Sequence, residues 1–246
     1  MAKEKSHLKT LLLQIRHDKQ VKKEEHESFI TYSGLNKEQI AVLNVYERPD
    51  FSLNEVDGYD ALFVGGTSNA NVLEPMKYPF VNQCQDMLKY CLDKNIPVFA
   101  SCFGFQLAVQ ALGGEIIHKD RDFEMGILSM QLSSAAQTDT LFKDTPNNFK
   151  AITVHQQLAL SEPPDTTLLA FTDQCCHSFK VDNRLFWAFQ FHPEVDKQVL
   201  IDRLTLYKKK YTNDDGHLAA ILANAQETPE SNKLVSKFVD RVLLQI

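Results

Sequence analysis

The chain has 246 residues, 26 of them basic and 32 acidic, giving a formal net charge of −6 at pH 7. That length supports a substantial core. The charge balance excludes the clustered basic surface that nucleic-acid phosphates demand, and the triplet Lys208–Lys210 reads as a solvated helix face. No apolar run approaches the roughly 20 residues needed to cross a bilayer, and Leu11–Leu13 is too short for a secretory core. The expectation is a cytoplasmic protein with neither a membrane nor a nucleic acid as partner.

In chain order, "LKTLLLQIR" predicts a buried strand and "VKKEEHESFITYSG" a surface helix closed by Gly34. "EQIAVLNVY" and "YDALFVGG" predict two further strands, the second ending at Gly65–Gly66. A helix over 80–95 follows, with Phe80, Cys84, Met87, Leu88, Cys91 and Leu92 at helical spacing. Next come the strand "IPVFAS" and a helix from Phe103 to Leu112, capped by Gly113–Gly114. This alternation of strand and helix implies a parallel sheet covered on both faces.

Beyond Gly114 the pattern changes to short runs: "EIIH", "MGILSMQL", "FKAITVH", "TLLAFT", "CHSFKV" and "LFWAFQF". Turn formers such as Pro163-Pro164-Asp165 separate them, so they read as antiparallel strands, at least one of which returns to extend the sheet. From Lys197 the chain reads as helical. Leu234, Val235, Phe238, Val239, Val242 and Leu243 fall on one face, which docks the C-terminus on the body. With no repeat or linker, residues 1–246 read as one α/β domain, of which 197–246 form a helical extension.

Five cysteines without framework spacing fit a reducing compartment. Cys84 and Cys91 read as core. Adjacent Cys175 and Cys176 lack a C-x-x-C partner and make a poor metal site, so no metal and no cofactor is expected. Cys102 differs, because it stands between a strand and a helix at the carboxyl edge of the sheet, where open α/β folds bind ligands. Gly104 leaves room for a tight turn, and the helix N-terminus favours a thiolate. The position fits either a nucleophile or a packed thiol. A nucleophile needs a base and the base an orienting group. His192 in "WAFQFHPEV" follows an apolar strand, with Glu194 two residues later and able to point the same way. Alone, that triplet also fits an ordinary turn.

"FASCFGFQLAVQALGG" together with "FQFHPE" resembles the class I (triad-type) glutamine amidotransferases, from about Leu11 to Val199. The resemblance implies a flavodoxin-like α/β/α sandwich with a mainly parallel central sheet and antiparallel additions. It further implies Cys102 as the nucleophile on a glutamine side-chain amide, His192 as acid/base and Glu194 as its orienter. The backbone N–H groups of Gly66 and Phe103 match the oxyanion hole, and Gly65 and Gln106 match substrate-binding positions. Gly66 also fits a plain strand-end turn, and Gln106 an exposed first-turn residue. His155 aligns near the rim of the family's site but stays outside the triad, and Arg121–Gly126 reads as pocket edge or plain turn. Ala100, Phe105 and Thr67 depart from the family pattern without removing a reacting group.

The resemblance leaves the substrate open between glutamine and another γ-glutamyl compound. No S-G-G-x-D-S loop and no G-x-x-x-x-G-K-[ST] loop is present. An amidotransferase of this kind would work with a separate synthetase subunit, a γ-glutamyl peptidase would work alone, and a regulatory module would do neither.

Overall fold

A computed structural model describes residues 3–206, 219 and 221–246; the Lys208–Lys210 triplet lies outside the described residues. The first strand, β1 (Thr10–Ile15), is buried along its whole length. Helix α1 (Lys19–Ser33) starts at Asp18, whose side chain accepts from the backbone N–H groups of Gln20 and Val21, and ends at Gly34 in the left-handed region. β2 (Ile40–Asn44), β3 (Ala61–Thr67), α2 (Phe80–Lys94), β4 (Val98–Ser101) and α3 (Phe103–Ala111) complete the alternating half. Strands β1 to β4 pair in parallel, as the alternation predicts.

The second half supplies β5 (Ile117–His118), β6 (Met125–Leu132), β7 (Phe149–Val154), β8 (Gln157–Leu158), β9 (Thr166–Phe171), β10 (Cys176–Val181) and β11 (Phe186–Phe189). Only β5 and β8 stand apart, as a two-stranded ladder. The rest join one nine-stranded sheet in the order β2-β1-β3-β4-β11-β10-β9-β6-β7. β11 returns parallel to β4, and the hairpin partners continue antiparallel from it. The described part of the tail includes α4 (Lys197–Leu206) and α5 (Pro229–Lys237), the latter running into a wider π-helical turn over Phe238–Leu243.

Strand residues alternate between two apolar layers, which is how a sheet covered on both faces is specified. Leu62 and Val64 of β3 face the layer under α2 and α3. Ala61 and Phe63 face the layer that holds Phe29 of α1 and Leu234, Val235, Phe238 and Val239 of the tail. Phe99 joins that second layer by stacking within 4.5 Å of Phe189 and 5.4 Å of Phe238, measured between ring centroids. The chain is therefore an α/β sandwich with a mixed central sheet and a docked C-terminal helix. Helix α1 is less of a surface helix than its charge suggests, because Glu25 and Phe29 are both fully buried.

Candidate active site

Parallel pairing of β4 with β11 brings together residues 88 positions apart. Both strands end at the same sheet edge, and the Cys102 N–H donates to the Phe189 carbonyl at 2.7 Å, extending the pairing past the last strand residue. Cys102 then turns the chain straight into α3 with φ 52° and ψ −101°, a conformation that residues with a side chain rarely adopt. Gly104 makes the turn possible. A Cβ there would fall 2.9 Å from both the Val64 carbonyl oxygen and Val64 Cγ1. The result is a sharp strand-to-helix elbow with the thiol at the helix N-terminus.

His192 sits just beyond β11, where its N–H donates to the Ile152 carbonyl at 2.8 Å. Its Nδ1 lies 2.7 Å from Glu194 Oε1, and its Cε1 and Cys102 Cβ converge on Gly66, 2.9 Å and 3.4 Å from where a Cβ would stand. All three residues are buried. Burial works against the charged imidazole, but its interactions with Cys102 and Glu194 outweigh it and lift His192 to about 9. Burial likewise works against the Glu194 carboxylate, and the His192 charge beside it overcomes that and holds it below its ordinary value. The Glu194 segment is braced from the tail, because Asn232 Nδ2 of α5 donates to the carbonyls of Pro193 at 2.8 Å and Val195 at 2.9 Å.

A cavity opens over Cys102, lined by Thr67, Ser68, Phe103, Gln106, Phe123 and His155 among others. Gln106 is buried rather than exposed, and its Nε2 donates to the Gln157 carbonyl at 3.1 Å. Phe103 is the first residue of α3, where N–H groups have no acceptor within the helix. Gly66 closes the other side. A Cβ on it would lie 2.8 Å from Arg16 Nη2, 2.9 Å from His192 Cε1 and 3.4 Å from Cys102 Cβ, so only glycine fits.

Two placements lie beyond the motif reading. The Gly66 N–H donates to Glu25 Oε1 at 3.2 Å, and that carboxylate also accepts from Arg16 Nε at 2.8 Å. Gly65 packs on the same carboxylate, 2.6 Å from where its Cβ would be, so it faces Glu25. His155 both lines the cavity and joins Glu124, Cys175 and His177 in a buried cluster. The i, i+2 spacing of Cys175 and His177 was the one available signal for that cluster, since it puts both on one face of an extended segment.

A family model described as glutamine amidotransferase class-I matches residues 20–203. The chain belongs to the class I glutamine amidotransferases. Over 223 residues it is 24% identical to gamma-glutamyl peptidase 4 of Arabidopsis thaliana, covering 88% of this chain and 84% of that protein. It is 33% identical over 109 residues to the glutamine-hydrolysing GMP synthase of Borrelia garinii subsp. bavariensis, covering 44% of this chain. The amidotransferase chain spans only about a fifth of that synthase's length. A glutamine amidotransferase from Thermotoga maritima superposes with a TM-score of 0.74 at 19% identity, over 96% of this chain and 98% of that one. Among the described residues no helix is long and apolar enough to cross a membrane.

Proposed function

We propose that this chain hydrolyses the γ-amide bond of glutamine or a γ-glutamyl compound by way of a γ-glutamyl thioester on Cys102. The observation that carries the reading is the thiol on a strained elbow, beside Gly66 together with an imidazole that Glu194 holds at 2.7 Å. In the first step Cys102 gives its thiol proton to His192, the sulfur attacks the carbonyl carbon and the carbonyl electrons move to oxygen. The Phe103 N–H is one donor to that oxyanion. The Gly66 N–H becomes the second when its 3.2 Å bond to Glu25 gives way. The intermediate collapses by breaking the C–N bond, and the His192 imidazolium gives its proton to the leaving nitrogen. Neutral His192 then takes a proton from water, which attacks the thioester carbon and expels the Cys102 sulfur. Glu194 keeps the imidazole oriented through both halves. Gln106, in the wall of the cavity, positions the amino-acid end of the substrate, and Gly65 acts indirectly by making room for Glu25.

The leaving group is ammonia or an amino-acid amine. Similarity to a γ-glutamyl peptidase along nearly nine-tenths of this chain, against less than half for the GMP synthase, favours the amine, hence a γ-glutamyl peptide substrate acted on without a partner. The ammonia alternative pairs the chain with a separate synthetase subunit. Steady-state assays of the purified chain on glutamine and on γ-glutamyl dipeptides test the choice, together with labelling by a glutamine-like electrophile mapped by mass spectrometry. The expected result is turnover of the dipeptides, with label on Cys102 and not on Cys84, Cys91, Cys175 or Cys176. Label mainly on another cysteine overturns the mechanism. A labelled Cys102 without turnover of either substrate overturns independent action only.

A further inference from the structure

We propose that Glu124, His155, Cys175 and His177 form a closed, structural zinc site beneath the wall of the active-site cavity. One ligand atom from each of the four lies within 4.8 Å of all the others, and all four residues are buried. Glu124 Oε2 stands 2.7 Å from His177 Nε2, 3.2 Å from His155 Nε2 and 3.3 Å from Cys175 Sγ, and Cys175 Sγ is 3.4 Å from His177 Nε2. A tetrahedral zinc ion with Zn–N and Zn–O bonds of about 2.1 Å and a Zn–S bond of about 2.3 Å separates its ligands by roughly 3.3–3.6 Å. Four of the six ligand–ligand separations thus lie at or inside that range, drawn inward on Glu124 Oε2, and all six are within 4.8 Å.

Hydrogen bonding alone accounts poorly for that convergence. Glu124 Oε1 already accepts from Thr172 Oγ1 at 2.7 Å, so three further groups crowd onto Oε2. His155 Nε2 comes within 3.2 Å of it without the alignment of a hydrogen bond, and among the described residues neither His155 nitrogen has a hydrogen-bond partner. Charge gives a second argument. A divalent cation with the Glu124 carboxylate, the Cys175 thiolate and two neutral imidazoles sums to zero. Because a ligating cysteine binds as the thiolate, binding displaces the Cys175 thiol proton to solvent.

The ligand chemistry selects the ion. One sulfur, two imidazole nitrogens and one carboxylate oxygen in tetrahedral reach suit zinc and leave magnesium or calcium poorly served. Four protein ligands leave no open position, which marks the site as structural. Its elements are the entry to β6, the turn after β7 and the β9–β10 hairpin. The ion would clamp three antiparallel segments while His155 faces the cavity above Cys102. Cys176, next in sequence, points to the opposite layer and packs in the core under α3.

The test is metal analysis of the purified full chain, followed by cobalt(II) titration of the chelator-treated protein. We expect about one zinc per chain, or uptake of one cobalt with an intense thiolate-to-cobalt charge-transfer band and tetrahedral d–d bands. Cys175→Ser should lose the band and bind at least about tenfold more weakly, whereas Cys176→Ser should keep both. The wild-type titration needs no variant to fold. Absence of the band in the wild-type protein, or its persistence in Cys175→Ser, overturns the proposal.

Discussion

Replacing Glu194 with glutamine keeps the shape of the side chain and removes one negative charge 2.7 Å from His192 Nδ1. In the folded protein His192 is lifted from 6.5 to about 9 by Cys102 and Glu194 against the pull of burial. A group raised in this way stabilises the fold fully below its unfolded value near 6.5, and that contribution disappears as the pH rises through 9. The rise amounts to about 3 kcal/mol at pH 6 and close to zero at pH 9.5. Because Cys102 and Glu194 share the effect, Glu194→Gln should remove about 1–2 kcal/mol at pH 6. For a chain of this size that corresponds to a fall in Tm of about 2–8 °C. Urea unfolding of both proteins at pH 6, 7.5 and 9.5 reads it directly. Glu194 itself stays ionised across that window, since its folded value is lowered. The gap between the two proteins should be largest at pH 6 and close, or reverse, by pH 9.5. A gap independent of pH, or one that widens with pH, refutes the charged pairing.

Two other substitutions probe what surrounds the site. Glu25→Gln leaves the Arg16 guanidinium facing a neutral amide inside the protein, and urea unfolding should show a loss of about 3 kcal/mol; a loss under 1 kcal/mol would mean that the buried pair contributes little. Asn232→Ala removes two hydrogen bonds to the segment that carries Glu194, for a cost of about 1–3 kcal/mol. Its signature is a lowered His192 titration midpoint by NMR, which loss of packing elsewhere on α5 would not produce.

The Cys102 elbow and the His192–Glu194 pair were legible in the sequence because each is encoded by neighbours. A strand end, a helix start and a nearby glycine define the first, and an i, i+2 spacing after an apolar run defines the second. The parallel half of the sheet was legible for the same reason, since its strands are uniformly apolar and its helices periodic. What was not legible depends on contacts across long separations. Glu24 and Glu25 look alike in the run "VKKEEHES", yet Glu24 meets Arg203 near the surface while Glu25 is fully buried against Arg16 and Gly66. Asn232 reads as a polar residue on a docking helix, and nothing local reveals that its amide reaches Pro193 and Val195. The Glu124 cluster draws on three segments spread over more than fifty residues, with Cys175–His177 its only local fragment.

In the folding equilibrium Cys102 acts against the native state. A residue with a side chain held at φ 52° and ψ −101° raises the energy of the folded chain by about 1–3 kcal/mol, and glycine in its place would relieve most of that. Sequences filtered only for a well-folded product would drift toward glycine at the elbow and shed the thiol in doing so. A cysteine kept at the angle that suits it least is a choice that stability does not account for.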